Sequence, residues 1–512
     1  MNICSWIQTN SERWPDKAAL IYEDKTLSHS QLFSLVKRFG NALKSLGVVP
    51  GERVAIFMPN CPEFLVARWG AIAIGAAASP LNMMFQKNEV RYVLNNAAPR
   101  VLITVAEKLD LIEDLWIECP SLQHVIVIDS LGIFGTHTFR SLVDGSSEDL
   151  VLHDCEPDDL CDLYYTSGTT GRPKGVMCSH SSFSHLLKYE SIVWDMRTDD
   201  LVLVVLPLFH TKGLIIPSLL ASYNGATQYL MQRWDTQRVL DTIQGKCITV
   251  FVGVPTMYSY LLAHPGVDTY DLSSLRLCRV GGAPIPVEVH TGFERRTGVK
   301  IIEGYGCTGW VGTSHPLTGE RVIGSIGKPL SELHPEIDCH IKIVDANDNE
   351  VAVDEEGELV VRGANIPKGF WRMPGKTSRD YRNGWFHTGD VARKDNRGFI
   401  YLVGRKDDLI ITSGFNLYPR EIEELLYSHD AVLEAAVVGI DDNTKGQVVK
   451  AFIVQKAGRQ VSEQEIIEYC RKSIARYKVP RHVEFVSSLP KTSSGKVQRR
   501  LLVAAGRDKA RT

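Results

Sequence analysis

The sequence predicts an α/β protein, with a large domain of layered sheets and helices over residues 1–405 and a small mobile α+β domain over 406–512. Three observations lead there. Short β-branched runs alternate with amphipathic stretches of helical length, the pattern of parallel strands joined by crossover helices. The 512 residues exceed what one hydrophobic core usually organises. Beyond about Arg405 the texture changes to short strands and one well-capped helix, with the polar Lys406-Asp407-Asp408 as a swivel before them.

Val54-Ala55-Ile56-Phe57-Met58 reads as a buried strand closed by Pro59, and a helix is expected near Glu63–Gly75. Similar strands are expected at Val101–Val105, His124–Ile128, Leu201–Leu206, Thr249–Val252 and Val299–Ile302. In the small domain, Ala435–Gly439 and Val448–Val454 are strand candidates. The helix after them opens on Ser462-Glu463-Gln464-Glu465, a capping box in which Ser462 and Glu465 satisfy each other's backbone donors. Ile466, Ile467, Cys470 and Ile474 form its apolar stripe. The other possibility is one continuous domain with a charged turn at 406–408. The sequence has no internal repeat and no low-complexity tract.

Composition excludes several classes. Apolar residues make up 44% and charged residues 23%, an ordinary globular balance. A net charge of -3 makes no electrostatic case for nucleic acid or an anionic membrane as the main partner. The eleven cysteines, Cys61, Cys155, Cys278 and Cys470 among them, are scattered without a C-x-x-C pair. They read as reduced thiols, not as a disulfide framework or a zinc site. The N-terminal residues lack the basic start and apolar run of a signal peptide, and apolar stretches break well short of ~18 residues. No transmembrane segment and a cytoplasmic location are therefore expected.

The most informative segment is Tyr164-Tyr165-Thr166-Ser167-Gly168-Thr169-Thr170-Gly171-Arg172-Pro173-Lys174-Gly175-Val176. Glycines let backbone N–H groups approach an anion, hydroxyls donate to phosphate oxygens, and lysine supplies charge. It does not fit G-x-x-x-x-G-K-[ST], because Pro173 takes the second glycine position. Proline beside lysine, between apolar flanks, also argues against a flexible linker. Gly304-Tyr305-Gly306-Cys307-Thr308-Gly309 satisfies G-x-G-x-x-G. A dinucleotide fingerprint needs a helix to begin there, whereas Trp310–Pro316 continues as loop-like sequence.

The Thr166–Gly175 segment resembles the signature loop of the adenylate-forming superfamily, which includes acyl-CoA synthetases, luciferases and peptide-synthetase adenylation domains. Five further segments resemble that family's motifs in its order: Gly281-Gly282-Ala283-Pro284, Gly304–Thr308, Gly384-Trp385-Phe386-His387-Thr388-Gly389-Asp390, Gly404–Asp408 and Pro490–Lys496. The resemblance covers essentially the whole chain and is nearest to acyl-CoA synthetases. It implies a layered large domain with a mobile lid, and an acid–thiol ligase that makes an acyl-AMP from ATP and passes the acyl group to CoA. Lys496, Thr166, Lys174 and His210 would then be catalytic. Ser167, Gly168, Thr169, Thr170 and Gly171 would hold phosphates. Gly282, Ala283, Pro284 and Tyr305 would contact adenine, Gly306 and Thr308 phosphate, and Asp390 and Arg405 ribose. Asp407 would be the pivot, and Gly414 would border the pantetheine channel. Physical logic agrees: a carboxylate attacking a polyanion needs neutralising charge, and Lys496 can supply it. At the level of single residues, Asp390 and Tyr305 could equally be turn or core residues, Lys496 a solvated basic-tail residue, and His210 a structural histidine.

One position departs from the family pattern. Where similar enzymes place a glutamate that holds the Mg2+ of ATP, this chain has Gly309. Phosphate oxygens and water can hold much of a magnesium shell, and Glu303 is a nearby carboxylate. Four readings therefore stand open: a complete ligase, an enzyme that only consumes a supplied acyl-AMP, transfer to a carrier-protein thiol, or a noncatalytic nucleotide-binding scaffold. The acid substrate is not readable from sequence. Its pocket is expected among His210, Gly213, residues 254–258 and residues 304–310.

Overall fold

A computed structural model of the chain describes residues 1–129, 136–166, 172–412, 414–442, 445–492 and 495–509, with side chains to residue 504. Among them, the alternating strand and helix runs assemble into two seven-stranded sheets, a five-stranded antiparallel sheet and a five-stranded sheet near the C-terminus. This is the mixed α/β architecture expected, with a larger N-terminal part and a smaller C-terminal one.

In the first seven-stranded sheet, Arg53–Phe57 lies between the parallel strands Val101–Thr104 and Ala77–Pro80. The helix Pro62–Ala73 follows it, beginning at proline because N1 needs no N–H. The sheet ends in the antiparallel pair Leu160–Thr166 and Lys174–Ser179, whose register sets Thr166 opposite Lys174. The buried Arg68 guanidinium grips Asp162 at 2.5 and 3.0 Å, tying that helix to the strand that leads into Thr166. Removing one partner of such a pair costs about 3–5 kcal/mol, because the other charge is left buried.

The second seven-stranded sheet positions the chemistry. Ile301–Glu303, Leu277–Val280, Val250–Gly253 and Leu201–Val204 are consecutive neighbours in it, all parallel. Parallel strands send all their carboxyl ends to one edge, where ligands of open α/β sheets bind. Four separate segments of the chain thus emerge side by side: Gly304–Thr308, Gly281–Pro284, Val254–Thr256 and Pro207–Lys212. A single apolar core spans both large sheets, with Trp69, Trp194 and Tyr258 fully buried.

Trp385–Lys394 and Ile400–Arg405 pair antiparallel in the five-stranded antiparallel sheet. Lys406–Asp408 is a short 3-10 turn before the C-terminal sheet, in which Val432–Asp442 and Gly446–Gln455 form the longest pair. The capping box at Ser462 is present, and it starts the helix Glu463–Ser473. Ile466 and Cys470 are buried beneath it, but Ile474 lies past the helix end in extended backbone. Among the described residues no helix is long and apolar enough to cross a membrane.

Candidate active site

Asp390 is the centre of the site. It is nearly buried, accepts a short hydrogen bond from the Tyr305 hydroxyl, and has Arg405 Nε 3.7 Å from its Oδ1. The pairing register places Asp390 directly opposite Arg405. Burial pushes the Asp390 carboxyl above the usual range, and Arg405 and the Tyr305 hydroxyl oppose that shift. Tyr305 in turn packs edge-on against Trp310, with ring centroids 5.6 Å apart. Its neighbours Gly306 and Cys307 pair antiparallel with Val311 and Trp310, so the chain turns back at Thr308 and no helix starts there. The dinucleotide pattern is accordingly not one.

Lys496 approaches from the other side. A Cβ built on Gly282 (φ +87°) would stand 3.8 Å from Lys496 Cε. The lysine's loop is a tight turn, Thr492 N–H donating to the Lys496 carbonyl at 2.8 Å and Lys496 N–H to Thr492 Oγ1 at 3.1 Å. Gly495 (φ +78°) lies so close to Val254 and Thr256 that a Cβ would meet Thr256 Oγ1 at 2.9 Å. Beyond it, Lys491 Nζ bridges Tyr260 at 3.1 Å and Glu434 at 2.6 Å, joining the C-terminal part to the sheet edge. The structure therefore captures Lys496 docked.

Lys174 is half-buried at the foot of the hydroxyl-rich segment, and burial, with Lys376 nearby, lowers its ammonium. Arg405 and Asp407 also act on it, so the segment, the Asp390 pair and the swivel share one neighbourhood. Ser167, Gly168, Thr169, Thr170 and Gly171 lie outside the described residues. His210 accepts a hydrogen bond on Nδ1 from the Lys212 N–H at 3.2 Å. Burial, with Lys496 and Lys212 beside it, lowers its pKa to about 3, so the ring is neutral at pH 7. With Nδ1 accepting, the proton sits on Nε2, which makes His210 a donor and not a base there. Gly414 (φ +82°) faces open space on the C-terminal hairpin and is not packed against this cluster.

Two carboxylates hold the frame. Glu358 accepts from His387 at 3.0 Å, from the Gly389 N–H at 3.0 Å and from Lys406 Nζ at 2.9 Å. Burial works against its charge, but those three donors hold it below the usual carboxylate range. It thereby couples the Asp390 turn to the Lys406–Asp408 turn. Glu303 Oε1 accepts from the Ile285 N–H at 3.3 Å and so supports the Gly281–Pro284 turn. Burial pushes its carboxyl up to about 8, so it keeps its proton at pH 7. Motif reading alone did not find Glu358, Glu190 or Arg279. The one signal for Arg279 is a charge inside the apolar strand Leu277-Cys278-Arg279-Val280.

A side-chain metal ligand does not fit at residue 309. Gly309 has φ +84°, and a Cβ there would meet Cys178 Sγ at 2.7 Å and Pro367 Cγ at 2.9 Å. Among the described residues no three His, Cys, Asp or Glu side chains stand together as a metal shell. Glu303, the nearby carboxylate, is buried and already accepts the Ile285 N–H beneath the Gly281–Pro284 turn.

Comparison with known proteins meets this geometry. The AMP-binding enzyme model matches residues 7–371, and the model for the AMP-binding enzyme C-terminal domain matches 421–496. The chain belongs to the AMP-binding enzyme family. Among relatives, a long-chain-fatty-acid–CoA ligase of Bacillus subtilis is 34% identical, covering 98% of this chain and 93% of its own length. A feruloyl-CoA synthase of an Amycolatopsis species is 34% identical over 96% of both chains. The anthranilate CoA ligase AuaEII, solved with anthranoyl-AMP, is similar in structure with a TM-score of 0.93 at 31% identity, covering 100% of this chain and 98% of its own. The family thus agrees with the resemblance read from the six motifs, while the acids named for these relatives differ widely.

Proposed function

We propose that this AMP-binding enzyme is an ATP-dependent acid–CoA ligase working in two half-reactions. A carboxylate oxygen bonds to the α-phosphorus of ATP, and the bond from that phosphorus to the pyrophosphate oxygen breaks. The CoA thiol then loses its proton to water, its sulfur bonds to the acyl carbon, and the bond from that carbon to the phosphate oxygen breaks as AMP leaves. The observation that carries the reading is Asp390 held between Tyr305 and Arg405, with Lys496 docked across the Gly282 turn.

In this reading the Asp390 carboxylate accepts the ribose hydroxyls, and Arg405 keeps it charged. Tyr305 and the Gly282-Ala283-Pro284 turn enclose adenine. Thr166 and Lys174, with Gly306 and Thr308 opposite, face the phosphates, and the Ser167–Gly171 stretch is assigned there from the motif. Lys496 meets the negative charge that builds up between carboxylate and α-phosphate. His210 donates through Nε2 at the acyl end. The large domain ends at Arg405 and the lid begins at Lys406, with Asp407 as pivot. Turning there would withdraw Lys496 and bring Gly414 to the thiol channel, so that one site need not serve two transition states.

The test is AMP release and thioester formation from ATP, CoA and a panel of acids. Thioester dependent on all three supports the reading; nucleotide binding without turnover of any acid would sink it. The missing carboxylate at Gly309, where no side chain can be seated, favours a second reading, in which the protein only consumes a supplied acyl-AMP. Thioester from synthetic acyl-AMP, with no pyrophosphate from ATP, would select it.

A further inference from the structure

Lys212 is a half-buried lysine that the mechanism above does not use. It follows His210 at the carboxyl edge of Leu201–Val204. A Cβ on Gly281 would stand 2.9 Å from Lys212 Nζ and 2.8 Å from the Gly304 carbonyl oxygen. The lysine head therefore fills the niche that bare glycine leaves between two of the nucleotide-binding segments. Among the described residues its Nζ makes no hydrogen bond and no ion pair within 4 Å.

The neighbouring carboxylates of Glu190 and Glu303 oppose the lowering of its charge but do not bond its Nζ. Glu190 is committed to Arg279, in a buried ion pair whose guanidinium lies 4.1 Å over the Trp194 ring. Glu303 is bound to Ile285 and protonated at pH 7. Lys496 adds like charge. Burial, Arg279 and Lys496 together push the Lys212 ammonium well below the usual lysine range. A lysine so placed holds its proton firmly only when an anion faces it. Two polar atoms beside it, Glu190 Oε1 and Glu303 Oε2, also lack a partner in the protein.

Spacing limits what that anion can be. Lys212 lies against Gly281 and Lys496 against Gly282, one residue along the same turn. If the reacting carboxylate is met by Lys496, a group met by Lys212 is only a few bonds away. We propose that Lys212 receives a second carboxylate on the acid substrate, and that the preferred acids are short dicarboxylic acids. This rests on the ligase reading above.

Matched acids test it: succinate against butanoate and glutarate against pentanoate, with ATP, CoA and the full chain. The expected result is about tenfold or more higher kcat/KM for each diacid, the scale of one charge-assisted hydrogen bond. Lys212→Met should abolish or reverse that preference through KM for the acid, Lys212→Arg should retain part of it, and KM for ATP should not move. Calorimetric titration of succinate and butanoate in the presence of AMP reads the same pocket without turnover. Wild-type preference for the monoacids, or equal loss of both acids in Lys212→Met, would overturn the proposal. A raised KM for ATP with unchanged acid preference would instead assign Lys212 to phosphate. If no acid turns over, the ligase reading falls, and selective binding of succinate in the titration would still support the subsite.

Discussion

Asp390 and Arg405 face each other across neighbouring antiparallel strands, with Arg405 Nε 3.7 Å from Asp390 Oδ1, while the Tyr305 hydroxyl bonds the same carboxylate from the loop after Ile301–Glu303. Two consecutive strands and a loop 85 residues upstream of Asp390 thus set the charge of one group. Burial raises the Asp390 pKa, and the two partners stabilise its ionised form.

Removing the Tyr305 hydroxyl takes away one of those partners. A group whose pKa is raised loses its charge sooner as the pH falls, and Tyr305→Phe raises it further. The acid limb of kcat/KM for ATP should therefore move to higher pH, with a loss of roughly tenfold to a hundredfold at neutral pH for one hydrogen bond to a charged group. A pH profile of both proteins checks this. An unmoved acid limb would remove Asp390 from the nucleotide site.

Lys496 faces Gly282, and among the described residues it makes no ion pair that its loss would break. Lys496→Ala should lower ATP-driven pyrophosphate release by about 10²–10³, the scale for losing one transition-state charge donor. Thioester formation from preformed acyl-AMP should fall far less, since Lys496 would be withdrawn in that half. Equal loss in the two assays would refute the division of labour.

The strand periodicity and the order of the six motifs were legible along the chain. Their meeting was not, because it depends on strand order. Ile301–Glu303, Leu277–Val280, Val250–Gly253 and Leu201–Val204 are adjacent in the sheet, although helices separate them in sequence. The supporting carboxylates were hidden for a related reason. Glu358 acts on His387, Gly389 and Lys406, none of which is near it in sequence, so no local spacing marks it. Ser462 and Glu465 show the contrast: a cap four residues long is read directly.

Glu294 offers a test of the scaffold behind the Gly281–Pro284 turn. Burial opposes its charge, but hydrogen bonds from His290, Arg321 and Ile301 lower its pKa from 4.5 to about 2. A depressed carboxylate stabilises the fold above its unfolded pKa, and that contribution fades as the pH drops from about 4.5 toward 2. Arg321 donates to it at 2.7 and 3.1 Å. Arg321→Met should lower Tm at pH 7, and the gap from wild type should narrow as the pH falls below 4. Thermal melts across that range decide it; a gap that widens with acid would contradict the assignment.

Gly309 is the departure on which the choice between making and consuming an adenylate turns. Its φ of +84° suits glycine, and a side chain would press on Cys178 and Pro367. Strain of this kind costs about 1–3 kcal/mol before any steric overlap is counted. Gly309→Glu should therefore lower Tm, and the inserted carboxylate should not speed pyrophosphate release, because its Cβ cannot be seated without moving the hairpin. Measuring Tm together with the Mg2+ dependence of adenylation separates the cases. A stable variant with faster adenylation at low Mg2+ would show that the hairpin readily accepts the carboxylate, and that the wild type lacks a metal ligand it could have used.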